Sequence, residues 1–319
     1  MAIDDQTQIS AALQSIENKI VNKALTTPDR PYISGMQLKG DIALGDLVFN
    51  TIDENGVIWV CTDIKGWWSH PDPEFTDLSR GFSDGSYDVR GRYAARQITL
   101  EGVFLTPDAS YVQAARDTLA MAADLVYRGD WLKTTDDDGT KASWVRLNGR
   151  PEITTVNNRG RTEFSIGLRA ADPIKYDWID SGPDFYDYVD IPAKNTTTGA
   201  TGSVVITNRG NVKVPALIEV TGVLTSTPTN PGRIINVTRD ETLDIVSAQS
   251  DAEDILSIDT YNREVLFNDE ALANRSRVSL LASWIQLDPG ANTVTFKDMS
   301  NLTTSTAVCR VLFRSGWIA

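Results

Sequence analysis

The chain has 319 residues, 41% of them apolar and 23% charged, enough for about two ordinary domains and too apolar for wholesale disorder. Thirty Lys and Arg against 43 Asp and Glu leave a net charge of −13, the wrong sign for a protein that grips nucleic-acid phosphates by releasing counterions. One histidine, His70, and two cysteines, Cys61 and Cys309, in separate predicted domains leave no HExxH site, CxxC metal knot or disulfide framework, so neither a metal nor any other cofactor is expected.

No apolar run approaches the roughly 20 residues of a membrane span, and Met1 to Ser10 has neither the basic start nor the apolar core of a secretory leader. The sequence predicts a soluble protein, or one that rides in a soluble assembly, with no membrane insertion.

Residues 1–27 read as a helical extension. Ile9, Leu13, Ile16 and Ile20 fall at spacings of 4, 3 and 4, which puts them on one narrow seam that must dock on its own domain or on a neighbouring subunit. After Pro28 and Pro31 the pattern turns to β over residues 28–176. Leu47-Val48-Phe49 and Val57-Ile58-Trp59-Val60-Cys61 read as a hairpin, with Asn55-Gly56 supplying the positive φ of its turn. Two prolines and several glycines after Gly66-Trp67-Trp68 exclude a long strand there. Ile98, Leu100, Val103 and Phe104 mark the next strand, which Gly102 would bend.

Thr106-Pro107-Asp108 then predicts a helix start, and Val112, Ala115, Leu119, Ala122 and Val126 its buried stripe. Trp131-Leu132 and Trp144 to Leu147 flank the acidic tip Asp136-Asp137-Asp138-Gly139 of a second hairpin. A third is expected around Asn158-Arg159-Gly160. Residues 177–202, with Pro183, Pro192, several aspartates and a Thr/Gly tract, read as a linker. Residues 203–319 carry eight short β runs joined by Gly, Pro and Asn turns, the pattern of a β-sandwich or jelly roll. The fold class is therefore mainly β: an N-terminal helix, a β-rich domain with one packed helix, then a C-terminal β-sandwich.

Few residues point to chemistry. The Asp136-Asp137-Asp138 run lacks the alternate acids and the closing Glu of a calcium loop and reads as a solvated tip. Ser69, His70 and Asp72 are too close in sequence to align as nucleophile, base and orienter. The Trp67-Trp68 pair reads either as a lid on the core or as an exposed contact anchor for another subunit or for a sugar ring. Three functions differ in what they require: a structural hub needs self-association, a carbohydrate- or receptor-binding module needs an exposed aromatic platform, and a hydrolase needs a carboxylate pair at a set separation.

The order of elements carries a resemblance. Gly66-Trp67-Trp68, the strand Arg96-Gln97-Ile98-Thr99-Leu100-Glu101-Gly102, one helix, a Trp-bearing hairpin and Arg169-Ala170-Ala171-Asp172-Pro173-Ile174-Lys175-Tyr176 precede the sandwich. Within the sandwich stand Asn208-Arg209-Gly210-Asn211, Ile258-Asp259-Thr260 before Arg263-Glu264-Val265, and Trp284-Ile285-Gln286-Leu287-Asp288-Pro289-Gly290-Ala291-Asn292. Residues 35–319 thus resemble the distal tail (minor tail) protein family of long non-contractile-tailed bacteriophages.

The resemblance implies a galectin-like or jelly-roll sandwich and a non-enzymatic virion protein at the tail tip, assembled in the host cytoplasm. It implies a homo-oligomeric, six-fold ring in which the first domain meets the tail tube protein and the second projects toward the tail-associated or baseplate hub protein or the fibres. DNA would pass through the lumen. Ile9, Leu13, Ile16, Ile20, Trp67 and Trp68 are the candidate subunit contacts, and Asp136, Asp137 and Asp138 the candidate acidic lining of the channel, where like charge repels phosphate.

Overall fold

The computed structural model describes residues 42–319 apart from 77, 82, 83, 85, 156–160, 180–185, 248, 250 and 271–273. The N-terminal seam of Ile9, Leu13, Ile16 and Ile20 and the Asn158-Arg159-Gly160 turn lie outside the described residues. The chain divides between Pro173 and Ile174 into two compact units.

The first unit is built on an antiparallel sheet. Its strands run, neighbour to neighbour, Leu47–Phe49, Ile42–Leu44, Asp130–Asp136, Gly139–Leu147, Arg161–Ala170, Arg96–Leu105, Ile58–Lys65 and Thr51–Ile52, with Glu152–Thr155 also paired to Arg161–Ala170. Arg96–Leu105 is an interior strand with strict alternation: Arg96, Ile98, Leu100 and Phe104 are buried, and Gln97 between them is exposed. At Gly102, opposite the register shift between Cys61 and Asp63, a Cβ would lie 2.3 Å from Val60 O and 2.4 Å from the Phe164 ring. The glycine allows this close approach.

The expected turn at Asn55-Gly56 is present, with Gly56 at φ +74°, but the strand it joins to Ile58–Lys65 is Thr51–Ile52. Leu47–Phe49 pairs instead with Ile42–Leu44. Asn50 makes the difference: it sits at φ +62° and its Oδ1 accepts the Cys61 N–H at 3.0 Å, so the chain turns away between the two runs. Asp53 holds the turn, Oδ1 accepting the Asn55 and Val57 N–H groups (both 2.9 Å) and Oδ2 the Trp59 indole N–H (3.0 Å).

The helix runs Val112–Ala123. Asp108 caps the preceding turn Ala109–Tyr111 by accepting from Ser110 N, and Thr106 Oγ1 donates to Asp108 O at 2.9 Å. The buried stripe is Ala115, Leu119 and Ala123, in place of one ending on Ala122 and Val126. The helix stops at Ala123, so Val126 is out of helical phase and exposed.

The second unit is a sandwich of two antiparallel sheets. One is five-stranded, in the order Asp187–Pro192, Val308–Phe313, Leu217–Thr221, Ile255–Asp259, Glu264–Phe267; the other is four-stranded, Ser203–Asn208, Gly290–Asp298, Gly232–Asn236, Glu241–Ile245. Ile218, Val220, Ile258, Cys309 and Val311 from the first and Ile206, Ile234, Leu243, Val294 and Phe296 from the second form one core. The stretch expected as a linker is only partly one: Asp187–Pro192 is a strand of the larger sheet. Asp187 and Asp190 are exposed in it while Ile191 is buried.

Both cysteines are free and buried in their own cores. Burial pushes the Cys61 thiol up to about 12 and raises Cys309 as well, which leaves almost no thiolate at neutral pH. In the folded protein at pH 8 neither thiol should react with Ellman's reagent over minutes, and both should react once it is unfolded in guanidinium; a fast native-state reaction would contradict the burial.

Candidate assembly surfaces

The Gly66-Trp67-Trp68 turn follows the strand Ile58–Lys65. Gly66 is at φ +80°, and a Cβ there would lie 2.0 Å from Gln97 O, so no other residue fits without moving the neighbouring strand. Trp67 is wholly buried in the core of the first unit. It is a core residue, and the expectation that it anchors a second subunit is corrected on that ground: no surface of it is left to offer. Trp68 is 37% exposed and is available for contact.

The turn is held by Arg96, itself only 1% exposed. Its Nη1 donates to Gly66 O (3.0 Å), Trp67 O (3.2 Å) and Ser69 O (2.6 Å), and its Nε to Pro173 O (3.0 Å). Burial pulls the guanidinium down to about 10, which still leaves it charged at neutral pH. Three of the sequence elements that carried the resemblance in this unit, the Gly-Trp-Trp turn, the strand opening on Arg96 and the segment around Pro173, therefore meet at one side chain.

Beyond the turn, two short ladders, Pro73–Glu74 with Arg92–Tyr93 and Leu78–Ser79 with Ser86–Tyr87, form an arm. It carries Phe75 (66% exposed), Leu78, Tyr87 and Tyr93 on its surface, with Glu74 and Arg92 paired across the base at 2.9 Å. Sequence reasoning excluded a long strand here and missed the arm, whose only signal was a series of aromatics among glycines and prolines. Two-stranded ladders this short are marginal on their own.

At the acidic hairpin, Asp136 pairs with Gly139 across the turn, and its carboxylate accepts from Lys141 Nζ at 3.1 Å. Asp137 and Asp138 are exposed. The three acids are thus not equivalent: Asp136 is neutralised by its neighbour, and the charge of the tip rests on the other two.

In the second unit the motif residues organise loops. Asn208 Nδ2 donates to Val212 O (2.8 Å) and Leu287 O (3.2 Å), while its Oδ1 accepts from Gly210 N (3.0 Å). A Cβ on Gly210 would lie 1.8 Å from Gly316 O. Asn211 Oδ1 accepts from Ile318 N (2.8 Å), and Arg209 pairs with the buried Asp177 at 2.7 Å. Asn292 closes the Asp288-Pro289-Gly290 turn on itself, donating to Asp288 O (2.7 Å) and Gly290 O (3.0 Å) and accepting from Asp288 N (2.9 Å). Asp259 gathers Tyr261 N, Asn262 N and Asn262 Nδ2 within 3.0 Å. Trp284 is half-buried beneath the Arg275 guanidinium, 5.0 Å from its ring centre, so its face is occupied by a cation.

Residues 209–317 match the family model of the siphovirus-type tail component, C-terminal domain. No curated protein matches the sequence. Among solved structures the chain is similar to the Dit protein of phage SPP1, described as a paradigm of hub adsorption apparatus in phages infecting Gram-positive hosts: TM-score 0.52, 14% identity, covering 80% of this chain and 93% of that one. A chain of the phage P2 baseplate in its activated conformation is similar at TM-score 0.38 and 9% identity over 85% and 96%. A fructofuranosidase from Schwanniomyces occidentalis is similar at TM-score 0.19 and 9% identity over 76% and 59%. Neither of the last two scores carries weight.

Residues 209–317 are thus similar to a siphovirus-type tail component domain, and the fold of the chain is similar to that of the SPP1 Dit protein.

Arg96→Met should cost the first unit about 3 kcal/mol, because it leaves buried carbonyls without their charged donor. Arg96→Lys should recover only part of this, since an ammonium cannot span the same four acceptors. Urea denaturation of the three proteins checks both, and an Arg96→Met variant as stable as the parent would contradict the role given to Arg96.

Proposed function

We propose that the protein is the distal tail hub itself: copies close into a ring through their first units, that ring joins the end of the tail tube, and the second units reach toward the baseplate hub or fibres. It performs no reaction. The observation that carries this reading is the coincidence of the tail-component match over residues 209–317 with a hub-like fold over most of the chain. Two surface features support it. The arm with Phe75, Leu78, Tyr87 and Tyr93, next in sequence to the exposed Trp68, is apolar surface of the kind that cyclic assembly covers. The acidic hairpin tip suits a lumen through which DNA slides without sticking, with Asp137 and Asp138 as the lining charges and Asp136 held back by Lys141. Six-fold closure is the expectation for the ring.

Electron-microscopy class averages of the purified protein should show closed rings of about six copies with an axial pore, and a reconstruction should place Asp137 and Asp138 on the pore wall. Monomers at high concentration, or a pore lined by Lys and Arg, would overturn the reading.

A further inference from the structure

An asparagine followed by glycine is open to a spontaneous reaction that other pairs undergo slowly. The glycine nitrogen can attack the asparagine Cγ, and the missing side chain leaves that approach unobstructed. Two such pairs occur in the chain, Asn55-Gly56 and Asn148-Gly149, and the structure holds them in opposite ways.

At Asn55-Gly56 the attacking nitrogen is tied. Gly56 N–H donates to Asp53 O at 3.0 Å. On either side the Asn55 and Val57 N–H groups donate to Asp53 Oδ1 (both 2.9 Å), and Asp53 N–H donates to Val57 O at 2.9 Å. Moving the Gly56 nitrogen toward Cγ breaks its own bond and disturbs the others, so reaction there requires the turn to open first.

Asn148-Gly149 lies in the connection from Gly139–Leu147 to Glu152–Thr155. Here the attacking nitrogen is released. Gly149 N–H has no hydrogen-bond partner among the described residues. The glycine is exposed at φ +90°, and nothing lies within 4 Å of where its Cβ would stand. Asn148 N–H donates to Gly167 O (2.8 Å), a bond that turning the following peptide leaves intact. What opposes the approach is the bond from Asn148 Nδ2 to Gln97 Oε1 (2.6 Å), and it joins two exposed side chains, where a single hydrogen bond is worth little.

We infer that Asn148 is the deamidation site of the folded protein. The Gly149 nitrogen bonds to Asn148 Cγ as it gives up its proton, the Cγ–Nδ2 bond breaks, and ammonia leaves with that proton. The cyclic imide then takes up one water and opens at either carbonyl, to aspartate or to isoaspartate. Water enters, ammonia leaves, and no enzyme or oxidant is needed, so conversion accumulates with the age of the protein. Each product adds a negative charge to a chain already at −13 and removes the donor that ties this connection to Gln97 on Arg96–Leu105. Isoaspartate also lengthens the main chain by one carbon between two strands.

The full-length protein is aged in mildly alkaline buffer, once folded and once in guanidinium, then digested in acid, where the reaction is slow, and mapped by mass spectrometry. In the folded sample the Asn148 peptide should gain the mass of deamidation about tenfold faster than the Asn55 peptide, the factor that breaking one or two hydrogen bonds imposes on the latter. In guanidinium the two should convert at similar rates. Asn148→Gln keeps an amide at this exposed position but requires a larger ring, and should abolish the fast conversion. Equal rates at the two pairs in the folded protein, faster conversion at Asn55, a difference that survives unfolding, or fast conversion that persists in Asn148→Gln would each overturn the assignment.

Discussion

A single buried cation organises the first unit. Four carbonyl oxygens converge on Arg96, and a buried charge is tolerated only where such donors and acceptors are matched. The constraint runs both ways: the guanidinium needs the turn to pass beneath it, and the turn can place Trp67 in the core only because its own backbone is satisfied there. Gly66 follows from the same geometry, since the approach of the turn to Gln97 leaves no room for a side chain. The arm starts from this fixed point, which gives an otherwise marginal pair of ladders a rigid origin.

The second unit uses a different device for the same problem. Its loops are closed by short amide and carboxylate side chains, Asn208, Asn292 and Asp259, each returning to backbone groups within a few residues. These are the residues that made the sequence recognisable. Their role is to fix loop shape, which explains how a tail component can keep a readable pattern without any shared chemistry.

Much of this was legible in the sequence, where local signals and long-range packing agree. Alternation in residues 96–104 marked the central strand, and the Asn55-Gly56 turn was read from its backbone requirement. The partner of that turn was not, because Leu47-Val48-Phe49 is the more apolar run and nothing local shows that Asn50 would adopt a positive φ to bond Cys61. Glu241–Ile245 escaped notice with only Leu243 and Ile245 as buried apolar positions, and Asp187–Pro192 was masked by its aspartates. Arg96 gave no signal at all: a lone arginine opening a strand looks like a surface residue, and only the folded chain shows four distant carbonyls around it.

The connectivity of the five-stranded sheet has a kinetic corollary. Val308–Phe313 lies between Asp187–Pro192 and Leu217–Thr221, so a strand near the middle of that sheet is the last of its members to leave the ribosome. Until it arrives, the strands on either side present open backbone edges, and its pairing with Asp187–Pro192 joins residues more than a hundred positions apart. Synthesis therefore passes through a stage in which the sandwich is nearly complete in mass yet its edge strand Asp187–Pro192 has nothing to pair with, when chaperone capture or pairing with a neighbouring nascent chain competes with self-closure.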